Sequence, residues 1–114
     1  MTEYISLPLA KEIAERYERL GIKIPYGEHY TYLDVDGNEL PPDAGGGLIE
    51  RIVYRYTAAE IFDALPVGTT VTKTDNGYAV EHRDFPEARD VKLERALCLM
   101  LSGVLDERIR EEGK

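Results

Sequence analysis

The chain has 114 residues, of which 22 are acidic and 14 are basic, and its net charge is −8. A chain of this length is typical of a single domain with one core, which we expect to span residues 1–114. Because an acidic surplus is unsuited to phosphate backbones and to anionic lipid surfaces, we expect neither direct nucleic-acid binding nor membrane association.

The first predicted element is an amphipathic helix. Ser6 is a suitable N-cap, Pro8 stands in the first turn, and apolar residues repeat at helical spacing from Leu9 to Leu20. Gly21 is a typical helix end. The start of the chain lacks the pattern of a signal peptide, and no apolar run approaches the ~20 residues of a membrane helix. We therefore expect a soluble, cytoplasmic protein.

Tyrosines alternate along the two strands that are predicted next. Tyr30 and Tyr32 share one face of the first strand, and Ile52, Tyr54 and Tyr56 share one face of the second. Packing of this aromatic face beneath a helix is the ordinary interpretation. The alternative is an exposed surface for a protein partner, since tyrosine is enriched at interfaces.

The connection between these strands includes the run YLDVDGNELPPDAGGG, residues 32–47. Asp34, Asp36 and Asn38 alternate like the ligands of a calcium loop. However, Glu39 stands where that loop requires glycine, and Gly45 stands where it requires the closing acid. We predict instead a turn that continues into a flexible acidic loop, rich in proline and glycine, at residues 36–47.

The acidic surplus is concentrated in the same part of the chain. Between Glu28 and Glu50 there are six acidic residues and no lysine or arginine. This pattern is typical of a solvated surface, and it also suits a basic partner. The predicted partner surface consists of Tyr30, Tyr32, Tyr54, Tyr56, Asp34, Asp36, Glu39 and Asp43.

A short helix and a β-hairpin follow. Thr57 and Glu60 have the spacing of a capping box, and Pro66 ends the short helix. Within residues 68–83, Val71 and Lys73 alternate with threonines, as is typical of a strand. Asp75-Asn76-Gly77 then supplies the positive backbone angles of a tight turn, so residues 68–83 predict a hairpin.

The last predicted element is a long helix. Asp84 and Glu87 have capping-box spacing and predict its start, and a broad apolar stripe continues from Leu93 to Ile109. The charged tail at 110–114 is expected to fray. The order of elements predicts an α+β fold. Its mostly antiparallel sheet of about four strands carries the N-terminal helix, the short middle helix and the long C-terminal helix.

Residues that could carry chemistry are few. His29 and His82 each follow a glutamate, but neighbours on a strand point to opposite faces, so we interpret both as surface histidines. Cys98 lies within an apolar run and is expected to be a buried small hydrophobe. No catalytic residue, metal ligand or cofactor is predicted.

Several segments together resemble a known group of proteins. They are SLPLAKEIAERYERLGIK near the start, YTAAEIFDALP from Tyr56, the hairpin residues Tyr78 to Val80, and the apolar helix from Leu93. The chain resembles small uncharacterised proteins encoded by phages and prophages of gut bacteria, although it lacks the tryptophans that these often carry. The resemblance implies a phage or prophage origin and a bacterial host cell, and it implies no activity.

Three functional hypotheses follow from the sequence. The favoured one is a small, non-enzymatic accessory protein that acts by protein–protein contact, and a homodimer would be unsurprising. The second is an acidic mimic of nucleic acid that inhibits a DNA-binding enzyme, although arginines such as Arg51 and Arg55 interrupt any continuous acidic array. The third is a metal-dependent enzyme that uses His29 and His82.

Overall fold

The computed structural model describes residues 3–41, 43 and 46–113, and it confirms the α+β class. In chain order the elements are α1 (Leu7–Leu20), β1 (Tyr30–Leu33), a 3-10 turn (Gly46–Leu48), β2 (Arg51–Tyr54), α2 (Ala58–Ala64), β3 (Thr70–Thr74), β4 (Gly77–His82), β5 (Phe85–Asp90) and α3 (Leu93–Glu112). The described strands form two antiparallel sheets, ordered β1-β2 and β3-β4-β5, where a sheet of about four strands was expected.

Helix α1 forms where its sequence signals predict it. Ser6 is the extended N-cap residue, although its side chain makes no capping hydrogen bond, and Pro8 occupies the first turn. Gly21 ends the helix in the left-handed conformation with φ of 67°. Its buried face contacts β2 and α3. On the α3 side, Nε and Nη2 of Arg16 donate to the two carboxylate oxygens of Asp106, at 2.8 and 3.3 Å. This paired hydrogen bond fixes the two helices relative to each other.

The predicted hairpin is present as β3 and β4. Its register pairs Thr70 with Glu81 and Thr74 with Gly77. The turn differs from the expectation, because only Gly77 has a positive φ, of 143°, whereas Asp75 and Asn76 do not. The unusual backbone therefore lies at the first residue of β4 and not within the turn.

The segment after the hairpin corrects the predicted start of the last helix. Residues Phe85–Asp90 form β5, which pairs with β4, and α3 begins only at Leu93. Pro86 lacks an N–H, and it is tolerated because β5 is an edge strand whose pairing is irregular between Val80 and His82. Spacing alone made Asp84 and Glu87 look like a capping box.

Helix α3 supplies the largest share of the core, as its apolar stripe predicts. It packs against β4, β5, α1 and α2, and its buried side chains include Ala96, Leu97, Cys98, Met100, Leu101, Val104 and Leu105. Cys98 is buried, as predicted, and its burial raises the pKa of its thiol to about 11.

The end of α3 reaches further than expected. The helix continues to Glu112, beyond the start of the tail predicted to fray at 110–114, and Lys114 lies outside the described residues. In the described part of the chain, no helix combines the length and the apolar character that crossing a bilayer requires.

Candidate partner-binding face

The small sheet of β1 and β2 has a covered side and an open side. Thr31, Leu33 and Val53 are buried on the side that faces the core. Because side chains alternate along a strand, their neighbours project to the other side, where Tyr30 is 50 % exposed and Ile52 is also exposed. The predicted alternation of tyrosines on β1 is therefore confirmed.

Aromatic side chains cover this open side. The register places Tyr30 opposite Tyr54 and Tyr32 opposite Ile52, so all four share one face. The rings of Tyr30 and Tyr32 are 5.2 Å apart, and Tyr26, which is 76 % exposed, adds a ring 5.6 Å from that of Tyr54. We call these five residues the tyrosine face: Tyr26, Tyr30, Tyr32, Ile52 and Tyr54.

Tyr56, which was predicted to belong to this surface, lies in the core. Strand β2 ends at Tyr54, so the alternation no longer applies two residues later. Only 3 % of Tyr56 is exposed, and its hydroxyl donates to the carbonyl oxygen of Pro25 at 2.5 Å. Burial raises the pKa of its phenol, which keeps the hydroxyl protonated as a donor. The ring also packs against Gly27, where a Cβ would stand 3.0 Å from it.

Glu60 holds the segment that carries Tyr26. Its carboxylate accepts from the backbone N–H of Thr57, which completes the predicted capping box of α2, and its second oxygen accepts from the N–H of Glu28 at 2.9 Å. Although burial raises the pKa of Glu60, these backbone hydrogen bonds outweigh that effect and lower it below its ordinary value of 4.5. One side chain thus joins α2 to the segment that leads into β1.

Replacing Glu60 with glutamine is expected to destabilise the fold by about 1–2 kcal/mol at neutral pH, since a charged acceptor of two N–H groups becomes neutral. Because the folded pKa is lowered, this contribution is complete above pH 4.5 and disappears as the pH falls through the folded pKa. Urea unfolding of both proteins across this pH range measures the difference.

The matched control for this change is Asp63→Asn, which removes an exposed carboxylate from the same helix. It should leave the free energy of unfolding within about 0.5 kcal/mol of the wild type. Equal effects of the two substitutions, or a Glu60→Gln effect that does not shrink in acid, would contradict the anchoring role of Glu60.

The acidic residues predicted to join the surface have different roles. The Asp34 carboxylate accepts from the N–H groups of Asp36 and Asn38, both at 2.9 Å, so it organises the turn after β1. That turn is also held by Lys11, whose ammonium donates to the carbonyl oxygen of Gly37 at 2.8 Å. The first part of the segment predicted to be flexible is therefore a bonded turn, while residues 42, 44 and 45 lie outside the described residues.

The remaining acidic side chains of this segment are exposed at both ends of the small sheet. Glu28 precedes β1, whereas Asp36, Glu39, Asp43 and Glu50 follow β1 or precede β2. The arginine side chains at the two ends of β2 contact groups outside this segment. Arg51 pairs with Glu18 of α1 at 3.3 Å, and Arg55 donates to the carbonyl oxygen of Ile5 at 3.0 Å. Negative charge is therefore concentrated at the end of the sheet where β1 leads towards β2, while Glu28 stands at the other end, beside which Arg55 lies.

The two histidines are engaged separately. The His29 ring stacks on Tyr4 with centroids 4.6 Å apart. His82 lies 3.0 Å from the carbonyl oxygen of Val67 through Nε2, and its Nδ1 accepts from the N–H of Asp84. Within residues 3–41, 43 and 46–113, no group of three or more His, Cys, Asp or Glu side chains is placed to hold a metal ion.

Comparison of the chain with protein-family models, with curated proteins and with solved structures gave no significant match. The resemblance to phage-encoded proteins therefore stays a prediction from the sequence. Of the tyrosine face, alternation could place Tyr30, Tyr32 and Tyr54, and it also placed Ile52 beside Tyr54. Tyr26 was missed, because it lies in an irregular segment with no periodic signal.

Proposed function

We propose that the protein is a non-enzymatic accessory protein that binds another protein through the tyrosine face. The observation that carries this proposal is the aromatic surface on an open sheet, with acidic side chains at both ends of that sheet. Tyrosine provides a large contact area with few rotatable bonds and a polar hydroxyl at its tip, which makes it common among the residues that dominate binding energy.

The chemistry of the partner follows from this arrangement. The centre of its surface is apolar and receives Tyr30, Ile52 and Tyr54. Its rim carries lysine and arginine, which complement Asp36, Glu39 and Glu50. Binding to such a rim weakens as salt rises, because exposed charges are screened. In keeping with the sequence resemblance, we place this interaction in the cytoplasm of a bacterial host.

Co-purification from the native host tests the proposal. A variant that combines Tyr30→Ser with Tyr54→Ser should lose a specific partner that the wild type retains, with at least a tenfold lower recovery, since hot-spot tyrosines contribute about 2 kcal/mol or more each. Recovery should also fall as the salt in the wash rises.

The control for this experiment is Val67→Ser, which changes a fully exposed apolar residue outside the tyrosine face. It should retain the partner like the wild type. Recovery of only free monomer with the wild type would contradict the proposed function, and equal recovery with all three proteins would show that the partner binds elsewhere.

A further inference from the structure

A basic pocket lies just beyond the end of β2, where the start of the chain meets the start of α3. It has a volume of 370 Å³, and its polar lining residues are Tyr4, Ser6, Arg55, Lys92, Glu94 and Arg95. Arg55, Lys92 and Arg95 thus place three positive charges around one pocket of a chain whose net charge is −8.

Arg55 is held in place with its terminal nitrogens available. Its Nε donates to the carbonyl oxygen of Ile5 at 3.0 Å, and its guanidinium lies 4.8 Å from the centroid of the Tyr4 ring. Among the residues that the structure describes, neither Arg55 nor Lys92 takes part in an ion pair, whereas Arg95 pairs with Asp90 at 3.5 Å. An arginine that is oriented but not neutralised is well suited to bind an oxyanion through two donors.

The same pocket receives the N-termini of two helices. Ser6 and Lys92 are the N-cap residues of α1 and α3, and neither side chain caps its helix. The first N–H groups of a helix have no partner within it, and the helix dipole adds partial positive charge there. Uncapped helix ends and guanidinium groups together favour a compact anion.

Glu94 narrows the class of anion. It stands in the first turn of α3, only 6 % of it is exposed, and it lines the pocket without an ion pair in the described part of the chain. A carboxylate accepts hydrogen bonds and repels an anion that has no proton to donate. A ligand that satisfies both Glu94 and the cations must therefore carry acceptor oxygens together with an O–H donor.

We propose that this pocket binds a phosphate group that retains a hydroxyl donor, either as inorganic phosphate or in a small hydroxylated phosphate ester. Phosphate near pH 7 carries a P–OH group as well as anionic oxygens, whereas sulfate is fully deprotonated. Arg55 and Lys92 bind the anionic oxygens, the first turn of α3 donates its N–H groups, and the donor hydroxyl bonds to Glu94. The pocket is therefore selective for phosphate over sulfate.

Titration calorimetry of the full chain with inorganic phosphate, with sulfate at equal ionic strength and with glycerol 3-phosphate tests the proposal. Phosphate should bind saturably and at least tenfold more tightly than sulfate. Glycerol 3-phosphate distinguishes the two possible ligands. If it binds more tightly than inorganic phosphate, the pocket is a site for esters, and if it binds more weakly, the pocket is a site for the free ion.

Three variants locate the site. Lys92→Gln and Arg55→Gln should each weaken phosphate binding about tenfold or more, since each removes a charged donor, and Glu94→Gln should reduce the preference for phosphate over sulfate. Arg83→Gln, which neutralises an exposed arginine outside the pocket, should bind as the wild type does. Absence of phosphate binding to the wild type would overturn the proposal. Unchanged affinity in the Lys92→Gln protein, whose substituted side chain is exposed, would overturn it as well.

Discussion

Replacing Leu97 with alanine is expected to lower the free energy of unfolding by about 2–5 kcal/mol. Leu97 is 2 % exposed and lies on the side of α3 that packs into the core. Its truncation removes buried apolar surface and leaves a cavity that close-packed neighbours fill only in part. Urea unfolding monitored by circular dichroism measures the change, which is a large fraction of the ~5–15 kcal/mol typical of a whole domain.

The control for this change lies two residues along the same helix. Leu99 is 46 % exposed, and alanine is a slightly better helix former than leucine, so Leu99→Ala should alter the free energy of unfolding by less than about 1 kcal/mol. Similar losses in the two variants would contradict the orientation of α3. An unfolding slope that differs between Leu97→Ala and the wild type would indicate a change in compactness and not only in stability.

This asymmetry of α3 is the part of the fold that the sequence predicts best. Its apolar residues repeat at helical spacing over more than four turns, and each buried position lies on the predicted stripe or, like Cys98, beside it. Helix α1 and the capping box of α2 are equally local, since a helix and its caps depend on residues three or four apart. Such helices can therefore be predicted without knowledge of tertiary contacts.

Strand β5 was missed because its identity depends on contacts distant in sequence. Phe85–Asp90 contains a proline and acidic residues, so on its own it has the composition of a helix start. It becomes a strand because the edge of β4 offers hydrogen-bonding groups and because Ala88 is buried once the two strands pair. The division into two sheets has the same origin, since strand propensity does not specify which strands pair.

In the candidate site, too, the features that depend on one strand were predictable and those that depend on pairing between strands were not. Alternation placed Tyr30 and Tyr32 on one face of β1, and it could place Tyr54 on one face of β2, but only the register joins the two strands into one surface. Tyr56 was assigned to that surface on the assumption that β2 continues, whereas the strand ends two residues before it. The cations of the basic pocket were unrecognisable in the sequence, because Arg55 and Lys92 are distant from each other in the chain.

The two proposed sites differ in the charge of the residues around them. Tyr30 and Tyr32 lie in the stretch from residue 28 to 50 that has no lysine or arginine, whereas three cations line the basic pocket. Arg55 stands just beyond β2, the strand that carries Tyr54, and its N–H donates to the carbonyl oxygen of His29, next to Tyr30. Arg55 therefore connects the basic pocket to the end of the small sheet where Tyr30 and Tyr54 lie. Even so, the two proposals fail independently, because phosphate binding is measured on the isolated chain.

Replacing Gly77 with alanine is expected to destabilise the protein by about 2–6 kcal/mol. Gly77 has φ of 143°, a conformation that costs other residues about 1–3 kcal/mol. A Cβ built there would also lie 2.7 Å from Cα of Val91 and closer still to the carbonyl oxygen of Asp90. The end of β5 would have to move away from β4, at a further cost of about 1–3 kcal/mol for overpacking.

Gly37→Ala separates these two contributions. Gly37 also has a positive φ, of 82°, but nothing lies within 4 Å of the position that its Cβ would occupy. This variant should lose only the conformational part, about 1–2 kcal/mol. If thermal unfolding gave the same loss for both variants, the close approach of Asp90 to Gly77 would be contradicted. A larger loss for Gly77→Ala, with chemical-shift changes at Asp90 and Val91, would instead show that β5 is held against β4 at a position where only glycine fits.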